Sequence, residues 1–537
     1  MKTRLEKARK WRSVSPSRRW KVIALVAILL VGFAVRIYAF PTYPEGLNQD
    51  EQSAAYEAYS LLTTGKDRWG DPFPAYFLGW GSGQNVLQSY LSIPSVAVFG
   101  LSPLGVRLVP LLLGVATLPL LFWVMRRLTG TYTALIATLI LAVCPWHILL
   151  SRWGLESNLL PFFLLLGVAT TVYATTIPQR RLWMILLSLI PFALAFYAYG
   201  TAMVIVPIIV LGLLVMYRKQ VLARWRWWLG ALGIAALISL PFLLFVIKNY
   251  LLHQPLGFEQ LLPFSIPLLE ESRIDQIRGE ATAPGLIAPG DPIFNLNFFL
   301  QGFNDRSVYN VVGQFLPLPL GVLILAGIGV GVTLYTALKS KGKIISPFLM
   351  WLGASIGPFF IAALNVNQAN SIFIPLIALA AIATVEIVKA MPYHRLRELW
   401  SVGVVTYVII SGALVYSVYL GPANAQALST NYHPALKEAF ARLETMSPST
   451  APIYVSEAVP LNYVQALFYT KQEPATFQSF DGSPSQPDFG RYIFSQERIP
   501  GNERYFYLIA QHEQPSCSGR AVNTWQSGNW HIGTCTP

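Results

Sequence analysis

LGVRLVPLLLGVATLPLLFWVM, residues 104–125, contains a single charge, Arg107. A membrane-crossing helix needs about 20 mostly apolar residues, and this run meets that length. It is followed at once by Arg126 and Arg127, and preceded by a long polar stretch, 41–103, that carries more acids than bases. Ten further runs of the same kind lie at 21–40, 131–150, 157–177, 182–199, 201–217, 227–247, 312–338, 344–364, 371–389 and 400–420. Several contain proline, among them Pro110, Pro191 and Pro241, which neighbouring helices can accommodate inside a bilayer. The whole chain of 537 residues is 54% hydrophobic and only 12% charged, with a mean hydropathy of +0.48. Soluble domains carry about 25% charged residues, so a soluble enzyme and a disordered chain are both excluded.

The net charge of +13 could suggest nucleic acid. Its distribution says otherwise. With the N-terminus inside, the inside segments and helix ends hold 23 Lys/Arg against three acids, Glu6, Glu386 and Glu398. The outside loops hold 9 Lys/Arg and 14 Asp/Glu, and the tail 422–537 holds 7 and 9. That is the positive-inside bias of a polytopic protein, and it leaves no basic patch for nucleic acid. The first run ends in VRIYAFPTYPEG without a small-x-small cleavage site, so it reads as an uncleaved helix. The expected organisation is a cytoplasmic basic N-terminus (1–20), a mainly α membrane domain of eleven helices (21–421) and a C-terminal extracytoplasmic α/β domain (422–537). The topology is N-in/C-out in the cell membrane.

Three segments lie outside the apolar runs: the loops 41–103 and 248–311, and the tail. In the tail, HPALKEAFARLETM and NYVQALFYT read as helices, PIYVSE and RYFYLIA as strands. Cys517 and Cys535 fit a disulfide in an oxidising compartment, two free thiols being the alternative; Cys144 falls in a span. Long outer loops in a compact membrane protein are usually functional, so chemistry is expected at the outer face, on a lipid-borne substrate.

Asp50 and Glu51 follow the first helix closely. Asn48 with Glu51 fits a capping box, and Asp50 could itself cap. The functional alternative is a general base acting on an acceptor hydroxyl. Adjacent helical residues do not share a face, so only one of the two suits that task. Arg107, Arg152 and Glu156 also sit at outer ends of spans. They read either as snorkelling arginines with a local ion pair or as a phosphate site with a second acidic residue. His147 is a packing residue or a ligand. Asp50, Glu156 and a phosphate could together hold a divalent ion. Trp69, Trp80, Trp146 and Trp153 suit an interfacial belt, with one or two free to stack on a sugar.

Read in order, these motifs resemble the family 39 glycosyltransferases of GT-C fold, which include protein O-mannosyltransferases and aminoarabinose transferases. The resemblance rests on EGLNQDEQSAAYEAYSLLTTGKDRWGDPFP (45–74), FGLSPLGVRLVPLLLG (99–114), CPWHILLSRWGLESN (144–158), AFYAYGTAMVIVP (195–207) and NFFLQGFNDRSVYNVVGQFLPLPLGVLI (297–324). It covers about residues 20–390. It implies a polyprenyl-phosphate sugar donor, an outward-facing site and inverting transfer to a protein, lipid or glycan acceptor. Asp50 then maps onto the base, Glu51 onto the second acid of the pair, and Arg107 and Arg152 onto phosphate ligands. Where the family often has an arginine or histidine before a late helix, this chain has NVNQANSIFIPLIAL (365–379), with Asn370 and Ser371. The missing contact is expected to move to Lys248 or Arg306, with Asp305 and His147 also at the substrate. The rival class, a transporter or lipid flippase, would place ionisable residues at mid-bilayer and often show an inverted repeat; neither pattern is evident in the sequence.

Overall fold

The computed structural model describes residues 18–79, 83–269, 292–339, 346–361, 364–448, 450–480, 487–499, 503–515, 517 and 520–536. The basic residues 1–17, Trp80 and the acidic stretch 270–291 lie outside the described residues. Four helices open the chain: α1 (Arg18–Ile37), α2 (Gln49–Thr64), α3 (Leu87–Phe99) and α4 (Pro103–Leu128). Among the described residues, seven helices are long and apolar enough to cross a membrane. They are α1, α4, Glu156–Ala174, Trp225–Leu252, Leu320–Lys339, Asn370–Ala390 and His394–Tyr419. The protein is thus a mainly helical, multi-pass membrane protein.

The four other expected spans are shorter or broken. Run 131–150 splits into Thr131–Val143 and Pro145–Leu150, because proline at 145 has no N–H to continue the ladder. Run 182–199 consists of short 3-10 and α segments, Gln179–Ile185 and Ile190–Ala195. Run 201–217 is an intact helix of 15 residues, Ala202–Met216. Run 344–364 holds Pro347–Ala354 and a 3-10 turn Gly357–Phe360. Irregular backbone at membrane depth survives only where protein covers it, and residues 145–150 are buried throughout. Close helix approach uses small residues: a Cβ on Gly329 would lie 2.1 Å from the carbonyl oxygen of Leu379 on the facing helix.

The tail forms the small sheet unit that the pattern of its sequence announced. Helices Ala435–Met446 and Asn462–Tyr469 flank five strands: β1 (Ile453–Val455), β2 (Tyr492–Ile493), β3 (Tyr505–Ala510), β4 (Arg520–Ser527) and β5 (Trp530–Thr536). The order is β2-β1-β3-β5-β4. β1 runs parallel to β2 and β3, and the β3–β5–β4 part is antiparallel. Cys517 and Cys535 are bonded, with Cα atoms 5.5 Å apart.

This unit is locked onto the first long loop, which follows α1. Tyr56 of α2 lies in its apolar core and donates to the Gln472 carbonyl at 2.9 Å. Trp69 packs between Tyr463 and Phe477, with ring centroids 5.8 and 5.4 Å away; it is a docking residue rather than part of a lipid belt. Gly46, at φ +83°, passes so close to the start of the unit that a Cβ would lie 2.1 Å from the Tyr432 carbonyl. Only glycine meets both conditions without strain.

Candidate active site

The first turn of α2 carries the two neighbouring acids, and the fold separates them. Asn48 caps the helix: its side chain accepts the Asp50 N–H at 2.7 Å, while its own N–H donates to Glu51 at 3.1 Å. This capping box turns Glu51 inward. There it receives Arg107 Nε at 2.7 Å and Nη2 at 2.9 Å, and the Gly154 N–H at 2.9 Å. Both members of the pair are fully buried. The remaining Arg107 donors meet the carbonyls of Pro41, Pro44 and Gly46 at 2.8, 2.7 and 2.8 Å. One ion pair therefore ties together loop 41–46, α2, α4 and the turn at 154.

That geometry corrects the expectation for Arg107 and Glu51. All five guanidinium donors of Arg107 are taken by protein acceptors, so none is left for a lipid phosphate. Glu51 is likewise engaged with cationic and amide donors. Arg152 is also turned to backbone carbonyls, although its buried Nε has no hydrogen-bond partner. Its fork donates to the carbonyls of Arg36, Tyr38 and Tyr43, each at 2.9 Å, closing the C-terminal end of α1, where orphan carbonyls need donors. The turn from Ser151 to Leu155 is not helical, so the spacing of four does not place Arg152 and Glu156 on one face. His147 is a packing residue: its Nδ1 receives Arg36 Nη2 at 2.7 Å. Arg36, which the sequence reading passed over, also holds the Ala142 and Leu141 carbonyls at 2.8 and 3.1 Å.

Asp50 faces the other way. It is half-buried and lines a polar cavity of about 360 Å³. Glu156 and Asp305 line the same cavity. Glu156 accepts the Asn85 N–H at 2.6 Å. Asp305 accepts from Ser307 N–H, Asn310 Nδ2 and Val366 N–H at 3.0, 2.8 and 3.0 Å. Amides supply much of the remaining wall: Gln49, Gln84, Asn365, Asn367 and Gln368. Trp153 and Tyr309 stack at 5.0 Å and 8° at the cavity's edge. The Tyr309 hydroxyl takes a hydrogen bond from Asn48 Nδ2 at 2.7 Å and donates to the Asn431 carbonyl at 3.1 Å. Burial pushes this phenol upward from its ordinary pKa. Trp153 is thus a buried wall residue, and Trp146, bonded to Asn370 at 2.7 Å, is also buried; neither belongs to an interfacial belt.

Lys248 is held by Glu259 and the Ile266 carbonyl, both at 2.6 Å. Arg306 is exposed and stands between the lining residues Asp305 and Ser307. Asn370 and Ser371 are buried, Asn370 reaching Ser157 at 3.3 Å. Among the described residues, no three His, Cys, Asp or Glu side chains converge as a metal site requires. The amides of NVNQ (365–368) escaped the sequence reading, although their density beside a span was the available signal.

The fold has solved counterparts. The structure is similar to ArnT from Cupriavidus metallidurans in its apo state, with a TM-score of 0.59 at 14% identity, covering 97% of this chain and 100% of that one. The same protein bound to undecaprenyl phosphate gives 0.60 at the same identity and coverage. The Archaeoglobus fulgidus oligosaccharyltransferase gives 0.53 at 14% identity, over 92% of this chain and 70% of that one. No curated protein matches at a significant level. The chain therefore shares its fold with these solved proteins over nearly its whole length. Residues 26–255 match the family model described as dolichyl-phosphate-mannose-protein mannosyltransferase.

Proposed function

We propose that this protein transfers a sugar from a polyprenyl-phosphate carrier to an acceptor hydroxyl at the outer membrane face, in one inverting displacement. Asp50 takes the proton of the acceptor hydroxyl, and the acceptor oxygen attacks the anomeric carbon. The bond from that carbon to the lipid-phosphate oxygen breaks, and the lipid phosphate leaves with its charge. That leaving group needs little protonation, so one carboxylate base suffices, unlike the paired acids of glycosidases. Glu156 and Asp305, with the amides of 365–368, offer hydrogen-bond acceptors and donors to sugar hydroxyls, and the Trp153–Tyr309 pair offers an apolar face. Arg306, the exposed cation beside Asp305, takes the phosphate role first assigned to Arg107 and Arg152; a donor placed on developing charge is typically worth about a hundredfold in rate.

The observation that carries this reading is the split between neighbouring acids: Asp50 lines the cavity with Glu156, while Glu51 is sealed against Arg107. We also infer that all eleven apolar segments cross the membrane, with the N-terminus in the cytoplasm and the cavity and sheet unit outside. The charge bias between loops supports this, as does the packing of the first outer loop against the tail unit. The undecaprenyl phosphate held by the Cupriavidus protein supports a polyprenyl carrier here. The test is glycan transfer by Asp50→Asn in membranes. A loss of about a hundredfold or more is expected; transfer at full rate by a correctly inserted variant overturns the base assignment. Mass spectrometry of lipids co-purifying with the wild type should find polyprenyl-phosphate sugars.

A further inference from the structure

A second and larger cavity, about 790 Å³, is lined by Pro44–Leu47, the stretch just before the Asn48–Asp50 wall of the first cavity. Its floor is apolar and comes from the ends of two spans: Pro41, just past α1, with Leu101 and Pro103 at the entry to α4. Its roof belongs to the sheet unit, through Ala441 and Phe468. Two lysines, Lys437 and Lys471, and one carboxylate, Glu45, line it, so the lining is net cationic. Tyr38, Val98 and Phe99, which flank the floor in sequence, are 62%, 73% and 44% exposed. Apolar surface of that extent beside the end of a span belongs in lipid. Lys471 sits at φ +53°, a left-handed conformation that L side chains enter at a cost.

We infer that this cavity binds a membrane phospholipid with an anionic headgroup. The acyl chains would lie along the exposed apolar ends of α1 and α3, and the phosphate would rise between Lys437 and Lys471. The volume falls in the range of small-ligand sites, large enough for a headgroup and glycerol. Basic side chains at the level of the headgroups draw anionic lipids. Such a lipid would seat the sheet unit on the bilayer and brace residues 44–47, whose carbonyls Arg107 holds. This site does not depend on the sugar-transfer reading, because its occupancy is read without catalysis.

The test is native mass spectrometry of the full-length protein in detergent, titrated in turn with phosphatidylglycerol and phosphatidylcholine. The wild type should retain phosphatidylglycerol preferentially. The Lys437→Glu/Lys471→Glu variant should lose that preference by roughly tenfold or more. A second variant, Ala441→Trp, fills the cavity from an exposed position and leaves both lysines in place; it should lower retention of phosphatidylglycerol as well. Equal retention of the two lipids by the wild type, or an unchanged preference in both variants, overturns the proposal.

Discussion

Asp50 and Glu51 are joined by one peptide bond, yet they occupy different physical regimes. Glu51 is buried, takes up Arg107 through two hydrogen bonds and accepts two backbone N–H groups. Asp50 stands half-buried at the edge of a polar cavity. A sealed ion pair serves geometry: it joins four segments, and its members are unavailable to substrate. A carboxylate on a cavity wall stays within reach of a ligand. The lesson is that two adjacent acids can be split by a helix cap, one sealed into the scaffold and the other left on a cavity wall.

The largest effect should come from separating those roles by mutation. Asp50→Asn should abolish most transfer while lowering the thermal unfolding of the detergent-solubilised protein far less than loss of Glu51 does. Glu51→Gln should instead lower stability, by about 3–5 kcal/mol, because it leaves a buried guanidinium without its counter-charge. Adding Arg107→Met should recover part of that loss, as replacement of a whole buried pair by apolar groups often does. If Glu51→Gln unfolds like the wild type and fails only in transfer, the contrast between the two acids collapses.

A smaller effect sharpens the boundary between wall and cavity. Tyr309→Phe keeps the stack on Trp153 but removes the hydroxyl that links Asn48 to Asn431. Loss of one partner of a buried hydrogen bond costs about 1–3 kcal/mol. Unfolding temperature should therefore fall, and the KM for the donor should rise as the cap of α2 loosens.

The smallest effect concerns a second buried cluster, where the first loop meets the sheet unit. Arg68 pairs with Glu57, and Asp67 lies beside them, buried. Burial, then Glu57 and Asp71, hold the Asp67 carboxyl well above its usual range. A raised folded pKa means that the group's contribution to stability is whole below the unfolded value, about 4. It is lost as pH rises through the folded value. Asp67→Asn should therefore unfold at the same temperature as the wild type near pH 4 and at a higher one above it. A difference that does not change with pH would show that this carboxyl is not held protonated.

Much of this was legible before any coordinates. Seven of the eleven apolar runs are long continuous helices, because a 20-residue apolar stretch has few alternatives in a bilayer. The tail's two helices and the strands at 453–455 and 505–510 also fell where periodicity put them. Strands β4 and β5 did not show, since Thr-, Asn- and Gly-containing stretches such as RAVNTWQS and WHIGTCT carry a weak pattern. The breaks at Pro145 and Pro358 were hidden because an apolar run looks the same whether or not its hydrogen-bond ladder continues.

The sequence by itself determined the membrane class, the sign of each loop and the acids and arginines near the outer ends of the spans. Those follow from local composition and from the cost of moving charge across a bilayer. Which arginine is left exposed and which is spent on carbonyls was decided only by the tertiary structure. A guanidinium's role depends on the acceptors that meet it, and the acceptors of Arg107 and Arg152 come from segments 56 to 117 residues away. No short motif records such partners; the folded loop at 41–46 does.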